Sequence, residues 1–388
     1  MKQLWQRMYI KRPGLLPSAL GLMAFFALPS VQAVTCEFTK VYTESVTSPV
    51  IGSGMATAGE DAPVGKILYR QEIFRSETFD TKYVCNVTAQ DVQSGGTMHA
   101  YTRTEVISSP SGAATTVNGK DVFPTNVPGI GVIFYISGPT QNISHFPNLW
   151  EVTYPLAAGE IGQNMGQLTR VTTEFIKTGP IPPGVHQISG ASLPTFQVTS
   201  GSNSPFPVSN VFVRLNFSGN TIIHTKTCHL TTSEIDVNLG SHWLTSFSGP
   251  GSVSPWKNFD IVLQDCPPFY GYSEIITLED INYVYVNNEK NTVKVDFRSS
   301  NGVVQGNPLL AKINNGPNAA EGVGIEMSQR DVAESIPLDG SGSLSLLNLS
   351  QESNSTYTIP LKARYVQTDT TVKPGLANGS VVFTITYL

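Results

Sequence analysis

The side chains best suited to binding a small polar ligand lie in one short segment, Asn142–Trp150. Asn142, His145 and Asn148 offer hydrogen-bonding groups there, Trp150 offers an aromatic face, and a proline favours a loop that leads into a strand. A sugar has apolar C–H faces and many hydroxyl groups, so a carbohydrate site needs an aromatic surface and directed polar groups. The segment therefore predicts a ligand site built from these four side chains.

Two of these candidates also have a purely structural interpretation. Trp150 alternates with Val152 and Tyr154, which is the pattern of a strand with one apolar face against a core. His145 is equally compatible with an ordinary loop position. The sequence leaves both alternatives open.

The other reactive side chains form no catalytic or metal-binding pattern. The histidines, at positions 99, 145, 186, 224, 229 and 242, lack the spacing of zinc ligands. Neither a Gly-x-Ser-x-Gly elbow nor a Gly-rich phosphate loop precedes a helix. The sequence therefore predicts no enzyme, no metal and no cofactor, and a glycosidase with two distant carboxylates is the enzymatic alternative that spacing does not test.

The first 33 residues have the pattern of an export signal. Four basic residues precede the apolar stretch Leu15–Leu28, and Val31-Gln32-Ala33 forms a small-residue cleavage site. The stretch is shorter than the roughly 20 residues that span a bilayer, so we expect cleavage rather than a retained anchor. Without these residues the chain has 20 Lys and Arg against 29 Asp and Glu, a net charge of about −9. A nucleic-acid partner is not expected, because no dense basic run exists.

The four cysteines fall into two pairs along the chain. Cys36 and Cys85 lie in the first half, and Cys228 and Cys266 lie in the second. Exported chains meet an oxidising compartment, so we predict the disulfides Cys36–Cys85 and Cys228–Cys266 rather than free thiols. Each would stabilise the fold by about 3–4 kcal/mol.

Composition and alternation predict an all-β chain with two domains. Charged residues make up only 14% of the chain, Gly and Pro are frequent, and no long helical pattern occurs. Apolar residues alternate with polar ones in Val293–Phe297 and in Ile359–Tyr365, which indicates half-buried strands of a sandwich. About 355 residues beyond the signal exceed one ordinary domain.

The boundary between the two domains is expected near Phe217. The stretch Ser200–Pro207 is small, polar and interrupted by prolines, as a break in the chain would be. The alternating segment Val211–Phe217 that follows could end the first domain or connect it to the second. We therefore expect domains at 34–217 and 218–388, with the boundary fixed to within about ten residues.

From Cys228 to Leu388 the sequence resembles the pilin domain of chaperone–usher fimbriae. Its markers occur in the family's order, ending with Gly375 as the fourteenth residue from the end and Tyr387 as the penultimate one. They are Cys228, Val237–Gly240, Phe259–Leu263, Cys266, Gly322–Ile325, Ile359–Val366, Gly375 and Tyr387. The resemblance implies an immunoglobulin-like sandwich that lacks one strand, which is supplied first by a periplasmic chaperone and then by the adjacent fimbrial subunit after assembly at an outer-membrane usher.

The last strand of the sequence fits that implication on physical grounds. In Val381–Leu388 the odd positions are Val, Phe, Ile and Tyr, so one face is fully apolar. A strand of this kind with an unpaired edge would aggregate unless another strand completed it, which is β-augmentation. We therefore expect the interface for the chaperone or donated strand to include Gly375, Val381, Phe383, Ile385, Tyr387 and Leu388.

The other end of the expected mature chain offers no strand to donate. Ordinary pilin subunits donate an alternating extension that precedes their first cysteine. Here Val34 and Thr35 alone would precede a bridged Cys36, so the chain is expected to accept a strand without giving one. Such a subunit fits the tip of the fimbrium on the cell surface, reached by export through the periplasm.

Residues 34–217 resemble, more weakly, the receptor-binding domains of two-domain fimbrial adhesins of type 1 and type 3. The resemblance implies a jelly-roll-like sandwich that binds a host glycan or matrix protein. Cys36 as third mature residue is similar to the type 1 adhesin, whose pocket lies near its mature amino group, and this adds Val34 and Asp91 to the candidate ligand residues. The alternative is a structural subunit that caps or initiates the fibre without a receptor.

Overall fold

The computed structural model describes residues 35–39, 46–50, 56–74, 82–93, 97–137, 142–155, 157–164, 168, 170–202, 210–278 and 283–388. The export signal and Val34 lie outside these residues. The described chain is nearly all strand, with one short helix, α1 (Ala89–Gln93), and two 3₁₀ turns at Gly190–Ser192 and Leu244–Ser246. The expected all-β fold is confirmed.

The strands before residue 225 are β1 (Thr35–Phe38), β2 (Val46–Val50), β3 (Ala56–Thr57), β4 (Ile67–Phe74), β5 (Lys82–Val87), β6 (Thr97–Ser108), β7 (Thr115–Val117), β8 (Lys120–Pro124), β9 (Ile130–Ser137), β10 (Asn142–Ile143), β11 (Asn148–Pro155), β12 (Gly159–Asn164), β13 (Val171–Lys177), β14 (Val185–Ser189), β15 (Thr195–Ser202) and β16 (Asn210–His224).

The strands after residue 225 are β17 (His229–Leu230), β18 (Lys257–Cys266), β19 (Tyr272–Leu278), β20 (Tyr283–Glu289), β21 (Val293–Ser299), β22 (Val303–Val304), β23 (Asn307–Lys312), β24 (Val323–Gln329), β25 (Asp339–Leu346), β26 (Ser355–Gln367) and β27 (Val381–Tyr387).

Two large sheets form the N-terminal sandwich. One has the order β20-β19-β4-β13-β9-β8-β7, and the other has the order β11-β6-β15-β16-β14 with β2 and β3 parallel to β16. Their inner faces meet in an aromatic core, in which Phe134 of the first sheet lies 5.0 Å from Phe196 and 4.9 Å from Phe217 of the second, measured between ring centroids. A small sheet, β1-β5-β12, flanks them.

The C-terminal sandwich packs a six-stranded sheet against a three-stranded one. The orders are β17-β18-β26-β24-β23-β22 and β25-β21-β27. The predicted alternation holds in β21, where Val293, Val295 and Phe297 are at most 1% exposed, and in β26, where Ile359 and Leu361 are buried. A separate hydrophobic core fills this sandwich, so the expectation of two packed units is confirmed.

Both predicted disulfides are present. Cys36 bonds to Cys85 between the paired strands β1 and β5, and Cys228 bonds to Cys266 at the end of β18. No cysteine is free.

The two sandwiches share strands in a way that the sequence does not suggest. Strands β19 and β20 follow the C-terminal strand β18, yet they extend the N-terminal sheet through a parallel pairing of β19 with β4. Strand β16 continues past the expected boundary at Phe217 as far as His224, where it pairs with β14 and β3. Of the stretch Ser200–Pro207, Ser200–Ser202 form the end of β15, which is an antiparallel neighbour of β16, and the rest lies outside the described residues.

Candidate functional site: an unpaired strand edge and a polar cleft

Strand β27 pairs on one side only among the described residues. Its partner is β21, and the flanking bonds join Leu388 to Thr292 in both directions at 2.9 Å and the Ser300 N–H to the Ser380 carbonyl at 3.0 Å. Antiparallel partners exchange bonds at every second residue, so the even-numbered residues of β27 face β21. The backbone N–H and C=O groups of Val381, Phe383, Ile385 and Tyr387 therefore point to the opposite, open edge.

The side chains on that edge are apolar and incompletely covered. Val381, Phe383 and Ile385 pack against the C-terminal core but remain partly exposed, whereas Tyr387 is buried. Burial raises the pKa of the Tyr387 phenol, which also contacts the Cys228 backbone. An open edge with a half-filled apolar face is the feature that an added strand would complete.

A cleft of about 440 Å³ is lined in part by the segment that precedes β27. It lies between residues 237–247 and residues 372–378, which lead into β27, and Leu239, Phe247 and Tyr365 line its floor. Within the described chain, residues 232–242 form no backbone–backbone hydrogen bond, although Ile235, Val237 and Leu239 alternate toward the core. Trp243, at the rim, is 83% exposed. The cleft is therefore bounded by a second stretch of unpaired backbone.

Gly375 lies in this cleft wall, where the chain approaches Ala319 and Ala320. The Leu376 N–H donates to the Asn318 carbonyl at 2.7 Å, and the Ala320 N–H donates to the Leu376 carbonyl at 3.0 Å. A Cβ atom at Gly375 would lie 2.5 Å from the Ala319 carbonyl carbon. Only glycine permits this close backbone approach.

A second cleft, of about 450 Å³, opens at the N-terminal sandwich beside Asp121. Asp121 is 4% exposed, and its carboxylate accepts three hydrogen bonds, from the Thr116 hydroxyl at 2.9 Å, the His145 ring Nδ1 at 2.8 Å and the Phe146 N–H at 2.8 Å. Its own N–H donates to the Ser144 carbonyl at 2.7 Å. The loop 144–146 is thus fixed to β8 by one acidic residue.

The hydrogen bonds at Asp121 also set its charge. Burial acts to raise the pKa of this carboxyl, but the bonds from Phe146, His145 and Thr116 outweigh it and hold the pKa below its usual range. An ionised carboxylate can only accept, so His145 donates through Nδ1 and leaves Nε2 for a ligand. The His145 side chain is 58% exposed. Phe123 and Phe146 supply apolar walls beside it.

The structure brings one of the predicted ligand residues into this cleft, and Asn142, Asn148 and Trp150 are not among the residues that line it. His145 lines the cleft. Asn142 lies in β10, where its Oδ1 accepts from the Ser137 hydroxyl at 3.3 Å, and Asn148 begins β11 opposite Thr104. Trp150 packs against the N-terminal core, and its buried indole Nε1 has no partner among the described residues.

Asp91 lies apart from these residues, in α1 after β5. Its carboxylate accepts from the Thr88 N–H at 2.7 Å and the Thr88 hydroxyl at 2.6 Å, while the Asp91 N–H donates back to that hydroxyl. This reciprocal arrangement caps the helix, and the bonds to the Thr88 side chain and backbone lower the pKa of Asp91.

Sequence reasoning missed Asp121, although a local signal existed. Asn118 and Gly119 both have left-handed φ angles, 51° and 74°, as the two-residue turn between β7 and β8 requires. An Asn-Gly pair between short alternating segments predicts a hairpin, and the hairpin pairs Asp121 with Thr116. Only the contact between Asp121 and the distant loop 144–146 could not be predicted from a local sequence pattern.

Within the described ranges, no helix is both long and apolar enough to cross a membrane. In the same ranges, no group of three or more His, Cys, Asp or Glu side chains is arranged to hold a metal ion.

Solved structures with related arrangements include two adhesins. The CupB6 tip adhesin from Pseudomonas aeruginosa is 15% identical, with 91% of this chain and 94% of that chain covered and a TM-score of 0.35. The receptor binding domain of the plasmid-born adhesin MrkD1P of Klebsiella pneumoniae is 15% identical, with 50% and 98% covered and a TM-score of 0.29. At these TM-scores the likenesses do not define the fold.

The sequence comparisons are more direct. Residues 215–388 match the family described as Fimbrial protein. The fimbrial subunit type 1 of Salmonella typhimurium is 27% identical over 199 residues, 51% of this chain and 94% of that protein. The S-fimbrial adhesin protein SfaS of Escherichia coli O6:K15:H31 (strain 536 / UPEC) is 30% identical over 182 residues, 47% of this chain and 88% of SfaS. With these matches over nearly the full length of known fimbrial proteins, this chain belongs to the fimbrial protein family.

Proposed function

We propose that this chain is the tip adhesin of a chaperone–usher fimbrium. Its C-terminal sandwich accepts a strand, first from a periplasmic chaperone and then from the adjacent subunit delivered at the outer-membrane usher. Its N-terminal sandwich binds a host glycan or matrix protein. The observation that carries the proposal is the open, apolar edge of β27 in a chain whose own pre-cysteine segment is already paired.

The acceptor role rests on the chemistry of the β27 edge. Backbone groups of Val381, Phe383 and Ile385 point away from β21, and their side chains are only partly covered. A strand laid along this edge would pair those groups and cover the apolar face in one step.

The tip position rests on strand β16. In a donating pilin the segment before the first cysteine is free to enter a neighbour. Here the segment before Cys228 is β16, which pairs in antiparallel fashion with β15 and β14 and in parallel with β2 and β3. Withdrawing it would dismantle the N-terminal core, because Phe212, Leu215 and Ile223 are at most 1% exposed. We therefore place the domain boundary just after His224.

The receptor role rests on the cleft beside Asp121. The fixed carboxylate orients His145, whose free ring nitrogen can bond a ligand hydroxyl, and the partly exposed Phe146 offers apolar surface to a sugar ring. Asn142 and Asn148 flank the same loop. These groups fit a neutral glycan better than an anionic one, because the buried group at the base of the cleft is a carboxylate.

Binding of the mature chain, purified with a fimbrial chaperone, to an array of glycans and matrix proteins tests the receptor role. We expect a defined glycan class to bind, and His145→Ala to weaken it at least tenfold while the exposed control Asp331→Asn leaves it unchanged. If the His145→Ala variant binds with wild-type affinity, the cleft beside Asp121 is not the receptor site.

The structural alternative predicts a different outcome in cells. If the chain only caps or initiates the fibre, His145→Ala should leave both attachment and fibre number unchanged. If it is an adhesin, the variant should lose attachment while the number and length of the fibres, counted by electron microscopy, stay at wild-type values.

A further inference from the structure

We propose that the loop Ala58–Asp61 of the N-terminal sandwich is a built-in stop that fixes where a donated strand ends on β27. The inference rests on the proposed acceptor role of that strand. It concerns a residue, Asp61, that lies more than 300 positions from β27 in the sequence.

The stop acts on the last outward-facing residue of the open edge. The Tyr387 N–H, which points away from β21, donates to Asp61 Oδ2 at 2.9 Å. The Tyr387 carbonyl lies against Gly59, where a Cβ atom would be 2.0 Å from the carbonyl oxygen. Both backbone groups that a donated strand would need at Tyr387 are therefore already covered.

The loop is held firmly enough to act as a stop. The Ala58 N–H donates to the His224 carbonyl at 2.8 Å, and the Ala62 N–H closes the turn on the Gly59 carbonyl at 3.1 Å. Thr57, immediately before it, is 1% exposed and bonds Pro268, Tyr270 and Gly271 of the C-terminal half. A donated strand would have to break this set of bonds to pass Tyr387.

The consequence is a defined register. The groups of Val381, Phe383 and Ile385 remain open, so pairing extends from Val381 to Ile385 and stops there. The occupant is a strand of alternating apolar residues from a neighbouring subunit. Its end at the stop faces the Asp61 carboxylate, so an acidic residue at that end is disfavoured.

Two synthetic strands of alternating apolar residues test the stop against the full mature chain. The short one reaches from Val381 to Ile385, and the long one extends two residues further, to Tyr387. Amide hydrogen exchange, followed residue by residue by nuclear magnetic resonance, reports pairing. The variants are Asp61→Ala, Asp61→Asn, which keeps an acceptor oxygen, and Glu60→Ala, the exposed acidic neighbour that serves as control.

In the wild type we expect slow exchange at Tyr387 before any strand is added, and equal affinity for both strands within twofold. Asp61→Ala should speed exchange at Tyr387 at least tenfold, and Asp61→Asn and Glu60→Ala should stay within threefold of wild type. If a strand binds and protects residues 381–385 but Tyr387 exchanges equally fast in wild type and Asp61→Ala, the stop is wrong. If neither strand protects residues 381–385, the acceptor role itself is wrong.

Discussion

Asp121 shows how a single buried side chain can organise a binding surface. Its carboxylate joins Thr116 on the hairpin strand β7 to His145 and Phe146 on a loop more than twenty residues away. Because it accepts three hydrogen bonds, the ionised form is favoured despite burial. The geometry of the cleft therefore depends on the charge of this residue.

That dependence predicts a specific response to acid. A carboxyl whose pKa is lower in the folded state contributes stability above its unfolded pKa and loses it as the pH falls through the folded value. Replacing Asp121 with Asn should lower the free energy of unfolding at pH 7 by about 1.5–3 kcal/mol, since hydrogen bonds to a charged group are lost. The difference between wild type and Asp121→Asn should shrink below about pH 4.

Urea unfolding at a series of pH values measures this difference. The exposed Asp331→Asn is the control and should follow the wild type throughout. A gap between wild type and Asp121→Asn that is constant from pH 7 to pH 2.5 would contradict the assignment of this charge.

Gly375 is a second residue whose identity the fold dictates. A side chain there would meet the backbone of Ala319 and Ala320. We expect Gly375→Ala to destabilise the chain by about 1–3 kcal/mol, because the neighbour is backbone and cannot move aside cheaply. Gly316→Ala, where no atom lies within 4 Å of the new Cβ, is the matched control. Thermal unfolding of the two variants decides, and equal melting temperatures would contradict the close approach.

At the residue scale, local patterns predicted what local chemistry controls. The two cysteine pairs followed from their positions and the export signal, and both are confirmed. Trp150 faces the core, as its alternation with Val152 indicated. Asp121 was missed because the partners that give it meaning come from β7 and from the loop after β10, which are adjacent only in the folded chain.

At the scale of elements, β27 is a strand with two chemically different faces and two different edges. One edge is paired with β21, and one face carries Phe383 and Ile385 toward the core. The opposite face carries Val382, which is 57% exposed. A charged substitution in β27 should therefore weaken binding of a donated strand only when it lies on the face that carries Phe383 and Ile385.

Ile385→Asp and Val382→Asp separate the two faces. We expect Ile385→Asp to weaken binding of an alternating apolar strand at least about tenfold, because it places a carboxylate in an apolar contact. Val382→Asp should bind within about twofold of wild type, since its side chain points outward. Titration of both purified variants with one synthetic strand measures this. Equal losses in the two would mean that the strand does not bind by this face.

Element order was less predictable than element type. The alternation in β21 and β26 predicted strands and core faces, because both are local properties. The hairpin β19–β20 was not foreseen, because its pairing with β4 joins residues about 200 positions apart. Such pairings leave no periodic trace in a sequence. The same holds for β16, whose alternation is clear but whose end at His224 is set by β14.

At the scale of the whole molecule, membership of the fimbrial protein family confirms that the chain is not an enzyme. It also assigns the chain to fimbriae at the cell surface, reached by export through the periplasm. The two sandwiches form separate cores but meet at a buried polar junction around Asn291. Asn291 accepts from the Gly271 N–H at 2.8 Å and donates to the Thr57 carbonyl at 2.8 Å.

Loss of the Asn291 side chain should reduce the cooperativity with which the two sandwiches unfold. Asn291→Ala leaves a buried N–H and a buried carbonyl unpaired, at about 1–3 kcal/mol each. We expect the wild type to unfold in a single calorimetric transition and Asn291→Ala to unfold in two. Asn301→Ala, which removes an exposed side-chain bond to Asn314, should behave as wild type. Two transitions already present in the wild type would show that the junction does not couple the units.

The path of the chain through β18, β19, β20 and β21 has a mechanical consequence. The polypeptide crosses between the sandwiches three times, after β16, after β18 and after β20. A force that pulls the two sandwiches apart would be divided over three covalent tethers instead of one hinge. The parallel ladder between β4 and β19 adds a hydrogen-bonded connection to these tethers, from Tyr69 and Ser273 to Phe74 and Leu278. Under such a load the two sandwiches should move together as one unit.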